Sequence, residues 1–171
     1  MVLLFVQTSL VAARRTDLHR RLGVAGAGLG VLMVVVGAYV TITRAGLPGA
    51  APLGFLAIPL TTVVVFPALF GTALRFRRRP DIHKRLVLIA TIELVSAAVA
   101  RLPGVAPLGP FGFFGGADLF VLAIVVYDMV ALRRIHPATL WGGAFLITSQ
   151  AGRIMIGDTA AWQAFAAWLI G

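Results

Sequence analysis

The chain has 171 residues, 60% of them hydrophobic and only 12% charged, with a mean hydropathy of +0.97. A soluble domain is about 45–50% apolar, so this chain has too little polar surface to coat a water-soluble globule. The net charge of +9 sits in short clusters beside apolar runs, not in a basic stripe with exposed aromatics, which argues against nucleic acid as a partner; the absence of cysteine removes disulfides, thiolate metal sites and thiol nucleophiles.

Met1 to Ala13 is apolar with no positive segment before it, so it does not read as a cleaved signal peptide. At 1.5 Å per residue it reaches only about 20 Å, short of a ~30 Å hydrocarbon core. It reads as an incomplete first helix arising from a misplaced start codon. An apolar stretch upstream in frame would support that, and its absence would leave a short or interfacial helix. The first full span is 22–43. The second, 55–74, carries Pro59 and Pro67, which membrane helices tolerate when neighbours satisfy the freed carbonyls. Spans 83–101, 113–132 and 137–156 follow. The stretch 159–170 is again short, with Trp162 and Trp168 suited to the headgroup level. Residues 1–171 thus read as one integral membrane domain, an all-α polytopic transmembrane helical bundle.

Orientation follows from the basic residues. Arg14, Arg15, Arg20 and Arg21, then Arg75, Arg77, Arg78, Arg79, Lys84 and Arg85, then Arg133 and Arg134 share one side; Arg44, Arg101 and Arg153 fall on the other. Positive loops face the cytoplasm, which puts the N-terminus outside. The chain also repeats itself: Asp17-Leu18-His19-Arg20-Arg21-Leu22 matches Asp81-Ile82-His83-Lys84-Arg85-Leu86, and 47–54 matches 102–109. The fixed order of the two motifs reads as tandem helical hairpins in one orientation, with a third, degenerate unit opening at His136. Gly26 and Gly30 form a GxxxG pattern, with Gly23 on the same side, and so suit a close helix contact within the chain or between subunits.

Two sets of residues can carry chemistry. His19, His83 and His136 each open an outward helix at one depth, and imidazole ligates haem and transition metals; Asp128 is placed to be a fourth ligand or its support. The alternative is that these histidines, behind helix caps Asp17 and Asp81, only meet headgroups and loops. The second set lies inside the spans. Glu93 sits about 15 Å past His83, where an isolated charge costs at least ~2.5 kcal/mol, so it is neutral or paired. Asp118 and Arg153 both lie roughly 22–24 Å from the basic ends and are expected to pair, with Glu93, Gln150 and Arg101 nearby. Such residues point to ion, proton or substrate handling, or to a pair that fixes helix register. No phosphate loop, Ser-His-Asp set or carboxylate pair is legible, which points away from an enzyme.

The Asp-x-His-[Arg/Lys]-Arg-Leu repeats and the segment 136–143 give the chain, over nearly its whole length, a resemblance to uncharacterised multi-pass membrane proteins of bacteria. That resemblance brings no activity with it; its members are often longer at the N-terminus. A looser similarity is to transmembrane b-type cytochromes, whose histidines sit near both membrane faces. Here all three lie at one face, so that similarity implies at most one haem. The abundance of alanine, glycine and arginine suits a GC-rich bacterium and its inner membrane. Three classes remain: a non-enzymatic scaffold or accessory subunit, a haem or metal protein using the histidines, and a small oligomeric transporter or channel using Glu93. The bilayer is the first partner, with a second copy or a membrane protein as further ones.

Overall fold

The computed structural model describes residues 2–170. Among these residues seven α-helices follow one another: α1 (Val2–Ala12), α2 (Thr16–Ala45), α3 (Ala57–Arg75), α4 (Pro80–Val99), α5 (Gly109–Leu132), α6 (Pro137–Gly157) and α7 (Ala160–Ile170). Single 3-10 turns, Leu53–Leu56 and Ala106–Leu108, lead into α3 and α5. Among the described residues there is no strand. Three of the described segments are long and apolar enough to cross a membrane by length and composition: Thr16–Ala45, Leu53–Arg75 and Ala106–Leu132. With 20 and 21 residues, α4 and α6 are each about 30 Å long, but they carry the polar residues described below.

Proline sets several starts. Pro80 and Pro137 open α4 and α6, where the missing N–H is one the helix could not use. This corrects the capping expectation. Arg79, not Asp81, precedes α4, and Arg15, not Asp17, precedes α2. The fixed φ of Pro80 begins the helix one residue early, so Asp81 falls in the first turn and complements the helix dipole instead of capping it. The cap of α6 is His136, whose Nδ1 accepts from the Ala138 N–H at 3.1 Å.

The loops at the other end are alike. Gly49 and Gly104, equivalent in the two sequence copies, both have positive φ, +78° and +81°. Leu47 and Leu102 each donate to the carbonyl three residues earlier, and Ala50 and Val105 do the same one turn later. The shared Leu-Pro-Gly segment therefore produces the same local turn twice, because glycine alone enters that region without strain.

The core lies between α3, α4, α5 and α6, around Phe66, Leu69, Leu86, Ile89, Val121 and Leu146. A second cluster of Val99, Phe113 and Phe114 closes the end away from the basic loops. Against this block α2 packs mainly on α3, and α1 on α2. The Gly26/Gly30 face is an internal contact: a Cβ at Gly26 would meet Leu3 of α1 at 3.1 Å, and one at Gly30 would meet Phe70 of α3 at 2.8 Å. Helix α7 folds back over the turn before α3, with Trp162 Nε1 donating to the Leu53 carbonyl at 3.0 Å. There the Gly54 and Gly157 backbones touch, and neither tolerates a Cβ. Large apolar side chains cover the outer faces of α2 and α5, including Val31, Leu32, Tyr39, Leu119 and Val130.

Candidate functional site

Two buried polar centres sit within this apolar frame. The first joins α3, α4 and α6. Arg153 has its side chain folded back along its own helix, Nε donating to the Ser149 carbonyl at 3.2 Å and Nη2 to the Ser149 hydroxyl at 2.9 Å. From there Nη1 donates to Glu93 Oε1 at 2.8 Å, and both side chains are fully buried. The Thr62 hydroxyl donates to the same oxygen at 2.7 Å. The guanidinium also lies over the Phe114 ring, 5.2 Å from its centre. Glu93 Oε2, by contrast, is buried with no hydrogen-bond partner among the described residues. Leaving a buried charged-group acceptor unmet costs about 1–3 kcal/mol or more.

Glu93 lines a cavity of about 540 Å³ between α2, α3 and α4. Its wall is mostly apolar, including Val34, Ile58, Phe66 and Leu94, and small residues Gly37 and Ala97 leave the room. The polar contributions come from Glu93, Thr62, Ser96, Thr41 and Arg101. Ser96 is satisfied by donating to the Glu93 carbonyl at 2.8 Å. Arg101 is exposed, donates to the Ala97 carbonyl, and has no carboxylate partner among the described residues.

The second centre lies at the basic end. Asp128, fully buried on α5, takes Nε of Arg85 at 3.0 and 3.3 Å on its two oxygens, with Nη2 of Arg85 on Oδ1 as well. Its Oδ2 accepts from the Thr139 hydroxyl at 2.6 Å and the His136 N–H at 3.1 Å. His136 Nε2 then meets Asp81 Oδ2 at 3.2 Å. Burial raises the Asp81 carboxyl, but hydrogen bonds from the backbone N–H of Asp81, from His136 and from the Ile82 N–H outweigh it, leaving it below its ordinary value. This network clamps α4, α5 and α6 together.

Several expectations change here. Arg153 pairs with Glu93, not with Asp118; Asp118 instead accepts from Gln150 Nε2 at 3.0 Å. Counting residues gives the height of a Cα, whereas an arginine at a helix surface leans toward the N-terminus, here by a turn. The histidines are not gathered with Asp128 into one ligand set, and no group of three His, Asp or Glu able to hold a metal exists among the described residues. Each faces a different neighbour. His83 Nδ1 donates to the Ala73 carbonyl at 2.7 Å, and His136 is held as above. With the Gln7 amide turned to satisfy its surroundings, its nitrogen donates to His19 Nδ1 at 2.6 Å. Asp128 serves Arg85. Residues not singled out from the sequence as site members are Arg85, Thr62, Thr139 and Ser149. Arg85 had a signal, since it lies inside an apolar helix four residues past Asp81; the hydroxyls had only their polarity.

The fold and these centres define an all-helical protein with membrane-length apolar helices, buried ion pairs and an apolar cavity. The chain matches no family model, no curated protein and no solved structure.

Proposed function

We propose that this is a multi-pass protein of the bacterial inner membrane, with five crossings built from tandem hairpins and the basic loops in the cytoplasm, which binds a lipophilic small molecule in the α2–α3–α4 cavity. It is non-enzymatic in this reading, a binding or accessory protein. The observation that carries it is Glu93. A carboxylate held on one oxygen by Arg153 and Thr62, and unmet on the other, stands in the wall of an apolar cavity. Ligand pockets are typically about 300–1,000 Å³, largely apolar, with a few placed polar groups. An intramembrane ionisable residue is by default a hypothesis of function. The two equivalent outer loops and the apolar outer faces of α2 and α5 support the hairpin and membrane parts.

The cysteine-free chain makes both parts testable. Arg78→Cys and Arg134→Cys should label only from the cytoplasmic side of sealed vesicles, and Ala51→Cys only from outside; the reverse would overturn the orientation. For binding, the chain should carry a small lipophilic molecule through mild purification. Gly37→Leu should lose it, since a Cβ at Gly37 meets nothing within 4 Å and the larger side chain projects into free space. Equal small-molecule content in both would argue against the cavity.

A further inference from the structure

The cavity wall carries one buried oxygen, Glu93 Oε2, without a hydrogen-bond partner and one cation, Arg101, without a carboxylate partner among the described residues, on and just beyond the same helix. Glu93 and Arg101 are eight residues apart on and just beyond α4, which is about 12 Å along the axis. Leu94, Ala97 and Ala100 lie between them on the same wall, facing Val34, Ile58 and Phe66. A ligand filling this space would meet a polar group at each end and hydrocarbon in between.

The chemistry of each end is specific. At the buried end the unmet atom is Oε2, an acceptor. Arg153 already balances the Glu93 charge. A cationic donor would leave net positive charge in an apolar interior, which is strongly disfavoured. A neutral hydroxyl supplies the missing hydrogen bond without that penalty. At the open end Arg101 is exposed and lacks a carboxylate partner among the described residues, so it suits an anion, for which guanidinium is the apt receptor.

We infer that the cavity takes a single-chain amphiphile, with its anionic group at Arg101 and a hydroxyl far along its hydrocarbon chain at Glu93. This rests on the ligand-binding reading above. The anion is a carboxylate or a phosphate monoester.

The test measures equilibrium binding of isotopically labelled probes to the protein in phosphatidylcholine nanodiscs, with empty nanodiscs subtracted. The probes are 10-hydroxydecanoate, decanoate, 1,10-decanediol and 10-hydroxydecyl phosphate. One of the two hydroxylated anions should bind at least tenfold more tightly than decanoate or the diol, and which one wins distinguishes the two sources of charge. Arg101→Gln should erase the preference over the diol while leaving the preference for hydroxylated chains. Because Glu93 variants lose an ion pair that the fold uses, Gly37→Leu serves as the blocked control and should abolish saturable binding of all probes. If decanoate and its hydroxylated form bind equally, and Gly37→Leu blocks both, the hydroxyl inference falls while the ligand-binding reading stands. If no probe binds saturably, both are overturned.

Discussion

Arg153 reaches back over Ser149 to place its Nη1 2.8 Å from Glu93 Oε1, so that α6 and α4 are joined by a pair of fully buried charges. Neither partner is stable there alone. Removing one leaves an uncompensated charge, at a cost of roughly 3–5 kcal/mol, whereas replacing both with apolar residues of similar size is often neutral. Arg153→Leu and Glu93→Leu should each destabilise the purified protein severely, and the double variant should recover most of the loss. Thermal unfolding in detergent reads this directly. A double variant no better than the worse single one would mean that the pair does not act as a unit.

The sequence copies diverge at Arg85. Its counterpart Arg21 is exposed, and the position matching Asp128 in the first copy is Ala73, so the earlier hairpin has no buried clamp. Arg85→Ala should therefore cost about 3 kcal/mol or more by stranding Asp128, while Arg21→Ala should stay within about 0.5 kcal/mol. Similar losses at both positions would contradict the burial difference.

Glycines on α2 should respond in opposite directions. A Cβ at Gly30 would meet Phe70 Cε1 at 2.8 Å, and Phe70 is stacked on Phe66, so Gly30→Ala should cost about 1–3 kcal/mol. At Gly28 nothing lies within 4 Å, and Gly28→Ala should be neutral or gain up to about 1 kcal/mol from helix propensity. The same unfolding assay separates the two.

Acid should loosen the basic end. The folded-state Asp81 carboxyl is held below its ordinary value, so its contribution is complete above the unfolded carboxylate value of about 3.9 and is lost as pH falls through the depressed one. Asp81→Asn should lose that contribution near neutrality, converge with the parent at acid pH, and so flatten the acid limb. A limb as steep in the variant as in the parent would remove Asp81 from its cause.

Helix positions were largely legible in the sequence, because long apolar runs bounded by proline, glycine and arginine leave few alternatives. The apolar runs at 55–74, 113–132 and 137–156 fall on α3, α5 and α6 within a few residues. The contacts were harder to read. Arg85 looks like one more topological charge until α5 and α6 close around it, and only then does Asp128 acquire a partner. Glu93 drew attention by depth, but its partner was assigned by Cα height, which a long side chain overrides. Thr62 has no linear signal at all, since a hydroxyl in a membrane-length helix can equally bond its own backbone, as Thr61 does to the Ala57 carbonyl. The cavity depends on where α2 stands against α3 and α4, which no single-helix pattern encodes.

The Glu93–Arg153 pair closes across a separation of 60 residues, and this has a temporal consequence. A chain elongating at about 5–20 residues per second makes Glu93 roughly 3–12 s before its cation exists. Thr62, made earlier, already faces the same carboxylate oxygen across the α3–α4 hairpin. It can serve as a placeholder, holding the acid in register until α6 arrives. Biogenesis thus runs against a clock at one atom, and a Thr62→Val chain should show its defect in nascent intermediates ended ahead of Arg153 more than in the finished protein.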